Sequence, residues 1–158
     1  MRTQVGVLGW HVIVTVLTSA ADVLLSGINL SSASNLTALS IVASLSPVLS
    51  ADREHGDAWD DFITPFFEKK LPSRLRNVIL ELHVRPADWQ IIGAVQWERL
   101  DVALAGTRLG ELEQVKAVVC TRMPMSGVQD RLRNIVYARA ATLRSRSLLR
   151  VEFAEVSR

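Results

Sequence analysis

Three histidines, a single cysteine and sixteen carboxylates are the side chains of this 158-residue chain from which acid–base, nucleophilic or metal chemistry could be built. Metal sites announce themselves by spacing, such as two histidines one helical turn apart or paired cysteines two to four residues apart. His11, His55 and His83 are far apart and match none of these, and one cysteine excludes an internal disulfide and a cysteine-based zinc finger. His83 falls at the end of an apolar run, where a hydrogen-bonded histidine is ordinary. Cys120 has no activating base nearby in sequence, with only Arg122 beside it, and reads as a half-buried strand-end thiol. The stretch Asp52-Arg53-Glu54-His55-Gly56-Asp57, with Asp60 and Asp61, lacks the order of a calcium loop and reads as a solvated loop in which Asp57 caps a following helix. Ser26-Gly27, Gly106 and Gly110 belong to no phosphate-cradling loop, dinucleotide fingerprint or nucleophile elbow. The expectation is therefore a protein without catalytic machinery, metal or cofactor, and with no small-molecule substrate.

Charge is spread unevenly over the chain. Residues 3–51 hold one charged residue, Asp22; residues 52–119 hold nine basic against twelve acidic, and residues 120–158 hold eight arginines against three acids. The net charge of +2 carries no argument for a polyanionic partner. The arginine-rich end lacks lysine, and arginine commonly covers apolar neighbours with its stem. Its helix reads as a terminal cap, and nucleic-acid binding is not expected.

The uncharged first third has the order of a signal peptide: Arg2, an apolar run from Val5 to Leu17, then Thr18-Ser19-Ala20-Ala21. Gln4, His11, Thr15, Thr18 and Ser19 interrupt it too often for a membrane span, which needs about 20 predominantly apolar residues. A buried strand over His11 to Leu17 followed by a helix over Ser19 to Ser26 is the preferred reading. Membrane association is not expected, and the compartment expected is cytoplasmic or nuclear. The sequons at Asn29 and Asn35 matter only for an exported chain, and Leu36 at the head of a strand makes the second awkward.

The elements that must position any site follow from a repeat. Four segments carry a leucine, an apolar residue three positions on, and apolar residues at alternate positions after that: Leu36-x-x-Leu39-x-Ile41-x-Ala43, Leu75-x-x-Val78-x-Leu80-x-Leu82, Leu112-x-x-Val115-x-Ala117-x-Val119 and Leu148-x-x-Val151-x-Phe153. The leading leucines lie 39, 37 and 36 residues apart, and Pro47, Pro86 and Pro124 follow the first three at +11, +11 and +12. Period-two alternation describes a strand with one buried face, and proline, which cannot donate to a ladder, marks the exits. Helical periodicity fills the intervals: Asp57 to Lys70 with a break at Pro65, Ala94 to Ala105 ending at Gly106, and Val128 to Leu143, with a short helix over Ala20 to Leu25 upstream. Strand, helix and parallel strand at a fixed period describe an α/β fold: a short right-handed β/α solenoid, similar to a leucine-rich repeat, with parallel strands on one side and helices on the other. The chain reads as one domain over 1–158, with an apolar strand and helix segment in 1–34 and repeats of about 37 residues in 35–158.

Particular phrases carry a family resemblance. Leu36-Thr37-Ala38-Leu39-Ser40-Ile41, Pro72-Ser73-Arg74-Leu75-Arg76-Asn77-Val78, Trp97-Glu98-Arg99-Leu100-Asp101, Leu112-Glu113-Gln114-Val115 and Ser147-Leu148-Leu149-Arg150-Val151-Glu152-Phe153 resemble the irregular leucine-rich-repeat region of mushroom (basidiomycete) F-box-like proteins, over residues 24–156. The spacing exceeds the 20–29 residues of ordinary leucine-rich repeats, and no asparagine or cysteine ladder follows the strands, Cys120 being the one candidate. The F-box helices that dock the ubiquitin-ligase adaptor have no counterpart, so the resemblance implies a truncated or partial substrate-recognition region.

The function expected is protein–protein interaction through the outward strand positions Ser40, Val42, Ile79, Glu81, Lys116 and Val118, with a protein partner. Two alternatives stand beside it. In one, the chain is a small doubly wound α/β enzyme in which Asp52, His55, Asp88 and Cys120 converge at the strand ends. In the other, it is an exported or membrane-anchored protein that uses residues 1–21 as its address.

Overall fold

The structure is a computed structural model that describes residues 5–8, 11–16, 35–45, 67, 71–106 and 109–156, the first two segments through their backbone pairing. Six strands form one sheet in chain order: β1 (Val5–Leu8), β2 (His11–Val16), β3 (Ala38–Ser44), β4 (Asn77–His83), β5 (Gln114–Thr121) and β6 (Leu149–Glu155). Strands β2 to β6 run parallel, each to the next, and β1 is antiparallel to β2. The order contains no reversal, so the described sheet lacks the switch point at which a doubly wound sheet opens its crevice.

The strand predicted over His11 to Leu17 is β2. The antiparallel β1 was not anticipated: Val5 to Leu17 reads as one apolar run because hydropathy does not register a turn. Only Gly9 and Trp10 separate the two strands in sequence, and a Gly-X pair between apolar runs is a hairpin signal. Several predicted features lie outside the described residues: the helix over Ser19 to Ser26, Pro47, the Asp52–Asp61 stretch with His55, and most of the Asp57 to Lys70 helix. Phe67 of that last segment is helical and buried.

Alternation decides which face of each strand is buried. On β4, Val78, Leu80 and Leu82 are buried, while Asn77, Ile79, Glu81 and His83 are half-buried on the opposite face. The register aligns the buried set into rows across the sheet: Leu39, Val78, Val115 and Leu149, then Ile41, Leu80, Ala117 and Val151. Branched and leucyl side chains stacked in this way fill one continuous core with the helices. Strand entry repeats too: the amides of Arg76 and Asn77 donate to the carbonyl of Thr37, and those of Glu113 and Gln114 donate to the carbonyl of Arg76.

The fourth repeat is offset from the sequence alignment. Val115 pairs with Leu149, not Val151, which shortens the last interval from 36 to 34 residues. A slip of two residues keeps every side chain on its face, so hydropathy cannot detect it. Leu148, expected to lead that repeat as Leu36, Leu75 and Leu112 lead theirs, is instead partly buried at the strand entry.

After β4 a single 3₁₀ turn (Pro86–Asp88) leads into α1 (Gln90–Ala94) and α2 (Trp97–Ala105). The single helix predicted to begin at Ala94 is thus broken at Val95 and Gln96. The Trp97 indole N–H donates to the Ile92 carbonyl at 2.8 Å, taking the acceptor that a continuous helix would offer to the Gln96 amide. Trp97 is 2% exposed, so its indole needs such a partner. After β5 come α3 (Gln129–Arg139) and α4 (Ala141–Ser145), broken at Ala140 where one stripe from Val128 to Leu143 was expected. Here the buried Asp101 of α2 accepts hydrogen bonds from the amides of Thr142 (3.0 Å) and Leu143 (2.7 Å), capping α4 from a different repeat. The apolar side chains that α1 to α4 bury all enter the core formed by one face of the sheet. Among the described residues, no helix is long and apolar enough to cross a membrane.

Candidate functional site: the helix-free face and the strand ends

The face of the sheet turned away from the helices carries the outward strand positions. Register places Ser40, Ile79 and Lys116 side by side, and beside them Val42, Glu81 and Val118, so all six residues proposed from alternation fall in two adjacent rows. The rows extend onto β6 through Arg150 and Glu152. Apolar and polar groups alternate over this patch, and Lys116 Nζ meets Glu152 Oε2 at 2.7 Å. Ser40 departs from the expectation of an exposed contact: it is 8% exposed, its small side chain recessed between two neighbouring strands, and it offers a partner little surface. The other five are half-buried and form the accessible part of the patch.

At the C-terminal ends of the strands this face runs into a cavity of about 740 Å³, lined among others by Val42, His83, Cys120, Arg122 and Met123. Beside it lies a cluster that residue spacing did not reveal. Ligand-type atoms of Glu81, His83 and Cys120 lie within 4.8 Å of one another, and His83 Nε2 is 2.6 Å from Glu81 Oε1. His83 and Cys120 are 37 residues apart in the chain and direct partners in the β4–β5 register. The signal was present in the repeat, since each stands eight residues after its leading leucine, Leu75 or Leu112. Cys120 is 5% exposed. Burial foremost, then the negative charge of Glu81 and the hydrogen bond to its carboxylate, push the thiol up from 9.0 to about 11. A thiol in that setting is a neutral, poor nucleophile.

The enzyme constellation does not assemble among the described residues. Asp52 and His55 lie outside them. The Asp88 carboxylate accepts a hydrogen bond from Arg85 Nε at 2.6 Å on the strand-exit turn, and Cys120 is met by Glu81 and His83 instead. The arginines of the C-terminal helices have internal partners: Arg131 lies over Trp89, Arg133 over Phe153 and Arg144 over Tyr137, while Arg139 and Arg146 donate to the carbonyls of Gly93 and Ala105. Each guanidinium covers an apolar or carbonyl surface of its own fold. Comparison of the chain with protein-family models, with curated proteins and with solved structures returns no match in any of the three.

Proposed function

We propose that this protein is a non-enzymatic protein–protein interaction module, a short leucine-rich-repeat-like right-handed β/α solenoid that engages a protein partner through the helix-free face of its sheet. In this reading it serves as the substrate-recognition part of an F-box-type ubiquitin-ligase subunit, as the phrases around Leu75, Trp97 and Leu112 imply. One observation carries the proposal: Val42, Ile79, Glu81, Lys116 and Val118, on three separate strands, form one contiguous patch that no described helix covers. Interfaces favour apolar anchors ringed by polar groups, and the alternation here provides both. Sequential parallel strands with all described helices packed on the other face are what a solenoid offers as an extended binding surface.

The test is quantitative co-purification from cells with the tagged chain and two variant sets. Val42→Glu, Ile79→Glu and Val118→Glu place a charge on the patch. Val102→Glu places one on the far side, where Val102 is 76% exposed on α2. Loss of a specific partner with the first three but not with Val102→Glu supports the proposal. A partner set that survives all three patch variants, or that falls equally with Val102→Glu, overturns it.

A further inference from the structure

We propose that Glu81, His83 and Cys120 form a binding site for one divalent transition-metal ion of the zinc class, at the edge of the helix-free face and beside the strand-end cavity. The argument is one of ligand chemistry and geometry. A thiolate, an imidazole and a carboxylate together suit Zn²⁺, which accepts sulfur, nitrogen and oxygen donors in one tetrahedral shell. Oxygen-seeking Mg²⁺ and Ca²⁺ would gain nothing from the thiol. Bond lengths of about 2.0–2.3 Å put neighbouring ligand atoms of a tetrahedron roughly 3.3–3.8 Å apart. The three ligand atoms here already lie within 4.8 Å of one another. The shortest gap, 2.6 Å between His83 and Glu81, must open, and the longest must close by about an ångström. Glu81 and His83, the two half-buried ligands, are the side chains whose rotation would make both adjustments.

The scaffold favours such a site. Glu81 and His83 are alternate residues of β4 and so share a face, while Cys120 is the register partner of His83 on β5. All three are held by a ladder paired on both sides, so little order need be gained on binding. Three protein ligands leave a fourth position for water or another ligand, and His83 and Cys120 also line the cavity that would admit it. The ion would take the Cys120 sulfur as thiolate, releasing its proton to solvent, and would replace the weak hydrogen bond that the thiol donates to the Val118 carbonyl at 4.0 Å.

The experiment titrates the full chain, stripped with chelator, with Co²⁺ and with Zn²⁺ as the sole added ligands near neutral pH. The expected result is one ion per chain, a thiolate-to-cobalt charge-transfer band, and intense visible bands typical of tetrahedral Co²⁺ that excess Zn²⁺ bleaches. Cys120→Ser should abolish the charge-transfer band and weaken binding at least 100-fold, with Glu81→Gln and His83→Gln each weakening it about tenfold or more. Zinc-edge X-ray absorption on the unmutated protein should find one sulfur at about 2.3 Å among nitrogen and oxygen neighbours, a readout independent of whether any variant folds. Absence of a charge-transfer band in the parent, a zinc shell without sulfur, or a folded Cys120→Ser variant that binds as tightly as the parent would each overturn the proposal.

Discussion

Asp101 is where one side chain joins two repeats, and its replacement by alanine is the sharpest test of the helical layer. Its carboxylate is 6% exposed and accepts from the amides of Thr142 and Leu143, the first-turn donors of α4. Ala140, at the cap position itself, supplies no side-chain acceptor, so these donors depend on Asp101. Loss of an N-cap acceptor costs about 0.5–2 kcal/mol, and each buried donor left unpaired adds about 1–3 kcal/mol before relaxation. Partial hydration of a five-residue helix offsets some of this, leaving about 3 kcal/mol for Asp101→Ala. For a chain of this size that lowers Tm by roughly 6–12 °C. Asp101→Asn keeps one acceptor oxygen but turns an amide NH₂ towards the second donor, and should lose about half as much. Thermal and urea melts followed by circular dichroism measure the stability. Amide exchange reads the site, with protection lost first at Thr142 and Leu143. Glu98→Ala on the same helix removes only an exposed contact to Arg139 at 3.5 Å and should change stability by less than about 0.5 kcal/mol. If Asp101→Ala melts with the parent and exchange at Thr142 and Leu143 is unchanged, the capping argument is wrong.

Ser147 closes α4 at φ 58°, its amide bonding to the Arg144 carbonyl and that of Leu148 to the Leu143 carbonyl, a Schellman ending with a non-glycine residue in the left-handed region. Ser147→Gly should therefore stabilise the chain by about 0.5–1 kcal/mol in a urea melt. Leu80→Ala empties a site of zero exposure and should cost about 2–5 kcal/mol, whereas Ile79→Ala, one residue away on the opposite face, should cost well under half of that. Equal losses would contradict the two-faced sheet. Because the folded state raises the Cys120 thiol from 9.0 to about 11, it holds a proton that the unfolded chain releases. Stability from this source is complete below pH 9 and declines as pH rises through 11, by on the order of 2 kcal/mol. In chelator-containing buffer, Cys120→Ser should remove that alkaline decline. Alkylation of Cys120 at pH 8 should run about 100-fold slower than for a free thiol, and Glu81→Gln, by removing a negative charge, should accelerate it.

The face assignment was legible in the residues because alternation is a local property. Val78, Leu80 and Leu82 point one way whatever they pack against, and the proposed contact patch is made of the complementary positions. Breaks in the helices were not legible, because they depend on bonds made elsewhere: the Trp97 indole on the Ile92 carbonyl, and Asp101 on amides some forty residues ahead. The hairpin at the first edge was missed because two adjacent strands of similar hydropathy merge into one run.

Leucines at a near-constant interval determined that strands recur along this chain and which side of each described strand is apolar, with helical returns following β4 and β5. Sequence spacing could not decide which residues meet across strands. A shift of two residues leaves every face unchanged, so the pairing of Val115 with Leu149 was decided only by the packed sheet. The same tertiary register set His83 against Cys120, with Glu81 beside them, and so made one cluster of residues that show no metal spacing along the chain. The physical reason is that periodicity encodes direction, whereas chemistry needs distance, and distances between strands are fixed only when the ladder closes.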